Sequence, residues 1–204
     1  FPFPQHFGRY PPELADAVAP YIVPGDLQQI ARPVDWFGLN HYSPHYVRAD
    51  SNLIGAGFGP ATDTVPHSSN GWPVVPDGFR DTLMDIHQRF QLPIYVLENG
   101  TAATDVIDPS GHVQDDDRIS YLKAYTAAME QAITAGADVR GYFVWSLLDN
   151  FEWGAGYSQR FGIVYVDHAT QRRIPKASAR WYADMIAAHR ASNDPAGPHN
   201  RAED

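Results

Sequence analysis

PIYVLENG, residues 93–100, is a short apolar strand that ends in a carboxylate and a turn. The residues from Ile94 to Leu97 favour a buried strand, and Asn99-Gly100 is a turn signal. Glu98 therefore comes at the point where the strand leaves an apolar interior. A carboxylate is seldom buried there without a partner. The segment predicts a buried strand with Glu98 at its carboxyl end.

Helices and strands alternate on both sides of this strand. A helical apolar face precedes it, made of Phe79, Leu83, Ile86 and Phe90. A long helix follows it, opened by Asp115-Asp116-Asp117, with a predicted apolar face of Ile119, Leu122, Met129 and Ile133. Other apolar runs predict buried strands over 34–42 and 141–148, then a hairpin and a last helix over 176–190. Alternation of this kind implies parallel strands with right-handed crossovers. Three such units cannot close an eight-stranded barrel, so the sequence predicts a small open sheet or a piece of a larger α/β fold.

Composition excludes several classes of protein. The 204 residues include no cysteine, which rules out a disulfide scaffold, a cysteine nucleophile and thiolate metal sites. Fifteen Lys+Arg against 24 Asp+Glu give a net charge of −9, so we expect no nucleic-acid partner. No apolar run approaches the ~20 residues of a membrane helix, so we expect no membrane partner. The chain begins at Phe1 with neither an initiator Met nor a signal-peptide pattern, so nothing about export is read from this end. The expected location is the cytoplasm.

Polar and aromatic residues collect where the three strands end. The first strand ends in Asn40, His41 and Tyr42, the second in Glu98 and Asn99, and the third in Trp145, with Asp149, Asn150, Glu152 and Trp153 just after it. In parallel α/β folds the functional groups lie at the carboxyl ends of the strands. The sequence therefore predicts one site built from these three clusters.

Glu98 and Glu152 are the two carboxylates that this site could use. For Glu98 the structural alternative is an ion pair or a cap for the following loop. Glu152 lies between Phe151 and Trp153. Aromatic faces beside a carboxylate suit a sugar, and a core aromatic cluster with a rim carboxylate is the other interpretation. From the residues alone, Glu98 and Glu152 would be paired as two catalytic carboxylates.

A long loop, a pair of histidines and a glycosylation sequon are further features of the sequence. Residues 48–78 are rich in Gly, Pro, Ser, Thr and Asn and predict a long, functional loop. His41 and His45 are four residues apart, but Pro44 argues against the helix that would direct both at a metal ion. Asn99-Gly100-Thr101 matches a glycosylation sequon and is interpreted as chance, because it follows directly on a buried strand.

Several longer motifs closely resemble glycoside hydrolase family 1, the β-glucosidases. They are FGLNHYSPHYV, GWPVVPDG, PIYVLENG and the stretch from GYFVWSLLDNFEWGAGYSQRFGIVYVD to RRIPKASARWY. The resemblance runs from about residue 7 to about residue 190, in the family's order. It implies the C-terminal portion of a (β/α)8 TIM barrel, about its last three βα units. We therefore expect residues 1–191 to be this part of the catalytic barrel and 192–204 to be a disordered tail.

The resemblance implies a role for each matching residue. Glu98 matches the catalytic nucleophile, Tyr42 the tyrosine that orients it, and Asn40 the neighbouring asparagine. The substrate-binding residues that it implies are Trp145, Glu152, Trp153, Trp72 and Phe161. Here Glu152 binds the sugar and is not the acid/base, and Trp72 is a wall of the aglycone subsite. Most members read Asn-Tyr-Tyr where this chain reads Asn40-His41-Tyr42, a change at the middle position only.

The family's general acid/base lies in an NEP motif, and this sequence has no NEP. The resemblance implies a retaining β-glucosidase that acts through a covalent glycosyl-enzyme and needs no metal or organic cofactor. This chain would supply the nucleophile half and be inactive alone. Its expected partners are a β-glucoside or small oligosaccharide and the missing N-terminal part of the barrel. The alternative is a non-catalytic fragment that binds sugar or completes a partner chain.

Overall fold

Three parallel strands form the centre of this computed structural model. It describes residues 2–45 and 64–193, together with the backbone of two short strands at 47–48 and 57–58. The helices are α1 (Pro2–Phe7), α2 (Pro12–Val18), α3 (Asp26–Ile30), α4 (Pro76–Phe90), α5 (Asp116–Thr134) and α6 (Ala177–Asn193). The strands are β1 (Phe37–Asn40), β2 (Val47–Arg48), β3 (Gly57–Phe58), β4 (Ile94–Asn99), β5 (Val139–Val144), β6 (Val164–Val166) and β7 (Arg173–Pro175).

The central sheet has the order β1-β4-β5, and both of its pairings are parallel. Phe37 is opposite Ile94, and Ile94 is opposite Val139, so the three strands begin at one level. Helices α4 and α5 connect successive strands and pack on each other and on one face of the sheet. The predicted alternation of parallel strands and helices is confirmed for this part of the chain.

The predicted core face of α4 is confirmed, because Phe79, Leu83, Ile86 and Phe90 are all buried. The predicted face of α5 is wrong in part. Leu122 is buried, but Ile133 is 43% exposed, and the buried face is completed by Tyr121, Tyr125, Ala128 and Ala132. These residues keep the helical spacing, but the tyrosines carry polar tips that an apolar pattern does not count.

All three runs that the sequence predicts as buried strands keep a large side chain partly exposed. Only one face of the sheet is covered by helices, so large side chains on the other face stay exposed. Trp36 is 46% exposed, Leu97 39% and Phe143 55%. Strand β5 also begins two residues earlier than predicted and ends at Val144, which leaves Trp145 at the start of a loop.

The remaining predictions of local structure have mixed outcomes. The predicted hairpin is present, with Val164 opposite Pro175. Part of the predicted long loop is a short antiparallel pair, β2 with β3, while its other residues between 49 and 63 lie outside the described part. Helix α6 continues to Asn193, past the predicted end at 190, and the tail from 194 to 204 also lies outside the described residues. In the part of the chain that is described, no helix is long and apolar enough to span a bilayer.

A buried charge cluster lies beneath the loops that follow β4 and β5. It consists of three carboxylates and three cations: Asp105, Asp115, Asp149, Arg118, Lys176 and Arg160. Lys176 Nζ donates to Asp105 at 2.5 Å and to Asp149 at 2.8 Å, and its side chain is fully buried. The guanidinium of Arg118 binds both oxygens of Asp105, at 3.0 and 2.9 Å, and also pairs with Asp115.

The cluster fixes elements that are far apart in sequence. Asp115 accepts from the Ser178 backbone at 2.8 Å, so the starts of α5 and α6 are joined. Asp149 accepts from the Gly162 backbone at 3.0 Å, so the loop after β5 is joined to the segment before β6. Burial lowers the pKa of Lys176, and the neighbouring Arg118 adds to the effect, while Asp105 and Asp149 oppose it. The ammonium group therefore depends on both carboxylates to remain charged.

We predict that Lys176→Met destabilises the fold by about 3–5 kcal/mol, because it leaves buried carboxylates without their cation. Lys123→Met is the matched control, since Lys123 is exposed on α5 and its loss is expected to cost under about 0.5 kcal/mol. Urea unfolding followed by circular dichroism measures both. Equal midpoints for the two variants would contradict the importance given to the buried cluster.

Candidate active site

Glu98 and Tyr42 meet where β4 and β1 end. The Tyr42 hydroxyl donates to Glu98 Oε2 at 2.5 Å. Main-chain contacts hold the two ends together, because the His41 N–H donates to the Glu98 carbonyl at 2.9 Å and Asn40 lies opposite Glu98 in the strand register. The structure thus brings the predicted carboxylate and its predicted partner into direct contact.

The Tyr42 hydroxyl is a proton donor over the whole working range of pH. Burial raises the pKa of Tyr42 above its ordinary value, and the hydrogen bond to Glu98 and the charges of Glu98 and Glu152 raise it further. Because Tyr42 keeps its proton, its hydroxyl can donate the hydrogen bond that Glu98 Oε2 accepts. The same effect shows that Glu152 lies near enough to interact with the Tyr42 hydroxyl.

Two tyrosines of α5 hold the backbone of Tyr42. The Tyr42 carbonyl accepts from the Tyr125 hydroxyl at 3.1 Å and from the Tyr121 hydroxyl at 3.2 Å. Their rings are stacked with centroids 4.1 Å apart. Each hydroxyl oxygen also accepts a hydrogen bond: the Val75 N–H donates to Tyr125, and the Asn99 amide donates to Tyr121. The polar tips on the buried face of α5 therefore position the residue that binds Glu98.

Asn99, next to Glu98, is fully buried, and its side chain makes three hydrogen bonds. Its amide nitrogen donates to the His41 carbonyl at 2.8 Å and to Tyr121 at 3.0 Å, and its oxygen accepts from the Tyr142 hydroxyl at 2.7 Å. The side chain thereby connects β1, α5 and β5. Because the Asn99 side chain is buried and hydrogen-bonded, it is not accessible for glycosylation. This agrees with the interpretation of the sequon as a chance match.

Gly100 lets the end of β5 approach the end of β4. A β-carbon at this position would lie 1.9 Å from the Trp145 carbonyl oxygen, so no larger residue fits. The Trp145 N–H donates to the Asn99 carbonyl at 2.9 Å, and the peptide bond between Trp145 and Ser146 is cis. The turn after Glu98 therefore sets the position of the half-buried Trp145.

Four of the five aromatic residues implied by the resemblance, all except Trp145, fall into two groups. Tyr42, Trp72 and Phe161 form one cluster, with ring centroids 5.4 Å apart for Tyr42–Trp72, 5.8 Å for Trp72–Phe161 and 6.3 Å for Tyr42–Phe161. Trp153 is not part of it. It is 83% exposed, in a turn that the Glu152 N–H closes by donating to the Gly156 carbonyl at 2.6 Å. Glu98 therefore lies beside one aromatic wall, while Trp153 faces open solvent.

His41 points away from this site. Its ring lies 4.9 Å from the ring of Phe79 and 6.3 Å from that of Tyr125, on the helix side of the sheet. Nδ1 is buried, without a hydrogen-bond partner in the described part of the chain. Burial lowers the pKa of His41 to about 4. In the described residues no group of three His, Asp or Glu could hold a metal ion.

The residues that support the site from below are not among those predicted from the sequence. Arg118 and Lys176 were given no role, and neither were Tyr121 and Tyr142, although all four contact the loops or strands that carry the site. One local signal was available for Arg118, which follows Asp115 by three residues at a helix start and so suits an ion pair. The partners of Lys176 are 27 and 71 residues away, and no short pattern shows them.

Parallel strands that carry a carboxylate, a tyrosine donor and an aromatic cluster at their carboxyl ends are typical of part of a (β/α) barrel with its site on that face. Comparison with known proteins identifies the family. The profile of Glycosyl hydrolase family 1 matches residues 2–191, and the chain therefore belongs to this family.

Two curated relatives have activities in their names. Beta-glucosidase A of Thermotoga maritima is 42% identical over 187 residues, which cover 90% of this chain and 42% of that protein. A bifunctional beta-D-glucosidase/beta-D-fucosidase of Bifidobacterium breve is 39% identical, covering 92% and 46%. The chain thus spans less than half the length of these relatives.

The solved structure of the Thermotoga maritima β-glucosidase in complex with castanospermine shares the fold. Its TM-score is 0.84 at 40% identity, over 91% of this chain and 42% of that one. The predicted fold, part of a (β/α)8 barrel, is confirmed.

We predict that acid destabilises the fold through His41. Its pKa is about 4 when folded and about 6.5 when unfolded, so between these values the unfolded chain binds more protons. Stability is therefore complete above pH 6.5 and falls as the pH is lowered towards 4. Lowering the pH from 7 to 4.5 should cost about 2–3 kcal/mol at this residue.

Urea unfolding at both pH values tests this expectation with His41→Phe, which removes the titrating group and should reduce the acid loss by that amount. His67→Phe, at an exposed histidine, is the control and should keep the whole loss. An acid loss that is the same in wild type and His41→Phe would show that His41 does not titrate in this way.

Proposed function

We propose that this chain is the nucleophile-bearing part of a retaining β-glycosidase that hydrolyses terminal, non-reducing β-D-glucosyl residues. The observation that carries the proposal is the contact between the Tyr42 hydroxyl and Glu98 Oε2 at the strand ends. A nucleophilic carboxylate has to be ionised, accessible and held in one orientation. Glu98 is partly exposed, and Tyr42 fixes one of its two oxygens.

In the proposed reaction the free oxygen of Glu98 attacks the anomeric carbon of the sugar. The bond from that carbon to the leaving oxygen breaks, and a general acid gives this oxygen a proton. Water then attacks the glycosyl-enzyme, loses a proton to the same group, and releases Glu98. Two inversions at the anomeric carbon give net retention. We propose that Asn40, which is opposite Glu98 in the register, binds the adjacent hydroxyl.

The second carboxyl group is proposed to come from the complementary part of the barrel. Retaining enzymes need their two carboxyl groups about 5–5.5 Å apart. Within this chain, Glu152 is the candidate for the second carboxyl group. The family resemblance implies instead that Glu152 binds the hydroxyl groups of the glycone. The relatives are more than twice as long as this chain. The exposed face of the sheet with Trp36, Leu97 and Phe143 suits burial against further strands of a closed barrel.

The names of the relatives support a glucoside as the substrate. They include a β-glucosidase and, in Thermotoga neapolitana, a 1,4-beta-D-glucan glucohydrolase. The rings of Tyr42 and Trp72 offer apolar faces for the C–H faces of sugar rings, and the buried Phe161 packs against both. We propose that Trp145 lies beneath the glycone, that Glu152 and Trp153 bind its hydroxyls, and that Trp72 contacts the aglycone.

We predict that Glu98→Gly loses turnover by at least about 10⁴-fold, as expected for a deleted covalent nucleophile. The assay uses an aryl β-glucoside with the chain co-expressed with the N-terminal part of the Thermotoga maritima enzyme. Azide should restore turnover by occupying the space of the lost carboxylate, and the product should be the α-glucosyl azide.

Glu152→Gly is the matched comparison, and it should give no α-azide. Rescue at Glu152 alone would contradict the assignment of Glu98. Sugar binding without turnover in the wild-type complex would favour the non-catalytic alternative. Turnover by the 204-residue chain alone would contradict the need for a complementary part.

We also predict a preference for a free 6-hydroxyl over a 6-phosphate. A phosphate carries about 1.5–2 negative charges near neutral pH and would face the Glu152 carboxylate. Repulsion costs a few kcal/mol at an effective dielectric of about 20, whereas a hydroxyl donates to the same carboxylate. The ratio of kcat/KM for an aryl glucoside and its 6-phosphate should be at least about 100. Equal values would show that Glu152 does not face the glycone.

A further inference from the structure

We infer that Asn70 is a site of spontaneous deamidation by water, and that the reaction alters the turn that carries Trp72. Asn70 and Gly71 form one of the two Asn–Gly pairs in the sequence, and Asn99-Gly100 is the other. In such a pair the asparagine side chain can react with the following backbone nitrogen, because glycine has no side chain to hinder the approach. The two pairs have opposite environments, so the fold selects the one that reacts.

The Asn70-Gly71 pair lies at the exposed tip of a loop. Asn70 is half-buried and Gly71 is exposed. A β-carbon built on Gly71 would meet no atom of the described residues within 4 Å. Gly71 has a φ of +81°, a left-handed conformation that favours glycine. The space around this peptide bond lets the Asn70 side chain turn towards the Gly71 nitrogen.

Hydrogen bonds to Ser68 close the turn at this tip. The Gly71 N–H donates to the Ser68 carbonyl at 2.9 Å, and the Ser68 N–H donates to the Trp72 carbonyl at 2.9 Å. The Trp72 N–H donates to the exposed Ser68 hydroxyl at 3.1 Å. The reaction needs the Gly71 nitrogen to be released from Ser68. Because the turn is an exposed loop tip, its opening costs far less than the opening of a core strand.

The Ser68 hydroxyl also assists the reaction, because it donates to Oδ1 of the Asn70 side chain. A donor at this oxygen stabilises the negative charge that develops there during attack. The Gly71 nitrogen forms a bond to Cγ of Asn70 and loses its proton, and the side-chain amide leaves as ammonia. Water then opens the cyclic imide and returns a proton to the nitrogen. Cleavage of the bond from nitrogen to Cγ gives aspartate, and cleavage of the bond to the main-chain carbon gives isoaspartate.

Asn99 is held in a geometry that prevents the same reaction. It is fully buried, its amide nitrogen donates to the His41 carbonyl at 2.8 Å, and its oxygen accepts from the Tyr142 hydroxyl at 2.7 Å. A β-carbon on Gly100 would lie 1.9 Å from the Trp145 carbonyl oxygen, so the next peptide unit has no space for a ring. Asn99 therefore reacts only after local unfolding of a buried strand end.

Isoaspartate formed from Asn70 would change the turn in two ways. It adds one carbon atom to the main chain between Ser68 and Trp72, and it leaves a new carboxylate at the surface. The bond from the Ser68 N–H to the Trp72 carbonyl then cannot keep its present geometry. The Trp72 ring lies 5.4 Å from the ring of Tyr42 and 5.8 Å from that of Phe161, so Trp72 is expected to shift relative to both.

The test incubates the 204-residue chain in heavy-oxygen water at mildly alkaline pH, alone and bound to the N-terminal part of the Thermotoga maritima enzyme. After transfer to ordinary water and digestion, mass spectrometry measures the heavy oxygen in each Asn–Gly peptide. The Asn70 peptide should gain it at least about tenfold faster than the Asn99 peptide, whose reaction waits for local unfolding. In urea the two rates should become similar. An isoaspartyl methyltransferase should methylate the Asn70 peptide of the incubated chain.

Asn70→Gln is the matched control, because its longer side chain would have to form a larger ring, and it should gain no heavy oxygen at this position. The indole N–H of Trp72, assigned with Trp72→Phe, should give a second NMR signal in the incubated wild type and none in Asn70→Gln. The inference is overturned if the Asn70 peptide reacts no faster than the Asn99 peptide, if the difference persists in urea, or if Trp72 gives no second signal after Asn70 has reacted. These measurements do not depend on whether the complex hydrolyses a glycoside.

Discussion

Lys176 places its ammonium group between the carboxylates of Asp105 and Asp149, and the loops after two strands depend on that contact. Buried ion pairs add little net stability over apolar residues, but an unpaired buried charge costs several kcal/mol. Any other arrangement of these loops would leave at least one of the charges without its partner. The cluster therefore selects one loop geometry, and with it the positions of the residues above it.

Nearer the sheet, a network of hydrogen bonds between uncharged groups likewise fixes the positions of the strand ends. Asn99 bonds to elements on both sides of β4, and Tyr121 and Tyr125 hold the carbonyl of Tyr42 from α5. These groups have few alternative partners in a dry interior, so each bond restricts the next one. The orientation of Glu98 thus follows from a chain of contacts that starts in a helix. Its hydrogen bond to Tyr42 is the last step of that chain.

The parts of this architecture that follow a local rule were predictable from the sequence. The spacing of apolar residues in α4 and the position of Glu98 after an apolar strand are examples, since each is decided within about ten residues. The face of α5 was predicted wrongly because Tyr121 and Tyr125 are buried for their hydroxyls as well as their rings. The burial of Lys176 depends on carboxylates far away in sequence, which a local pattern cannot contain.

The departure of this chain from its family at His41 can be understood from the alternation of side chains beyond β1. Tyr42 points towards Glu98, while His41, one residue earlier, points to the opposite side and contacts Phe79 on α4. A change at the middle position therefore alters the layer between sheet and helices and leaves the groups around Glu98 in place. Its expected cost lies in stability at acid pH, because the buried imidazole must stay neutral. Two adjacent residues thus have different roles, because Tyr42 contacts Glu98 at the strand ends and His41 packs against the helix behind them.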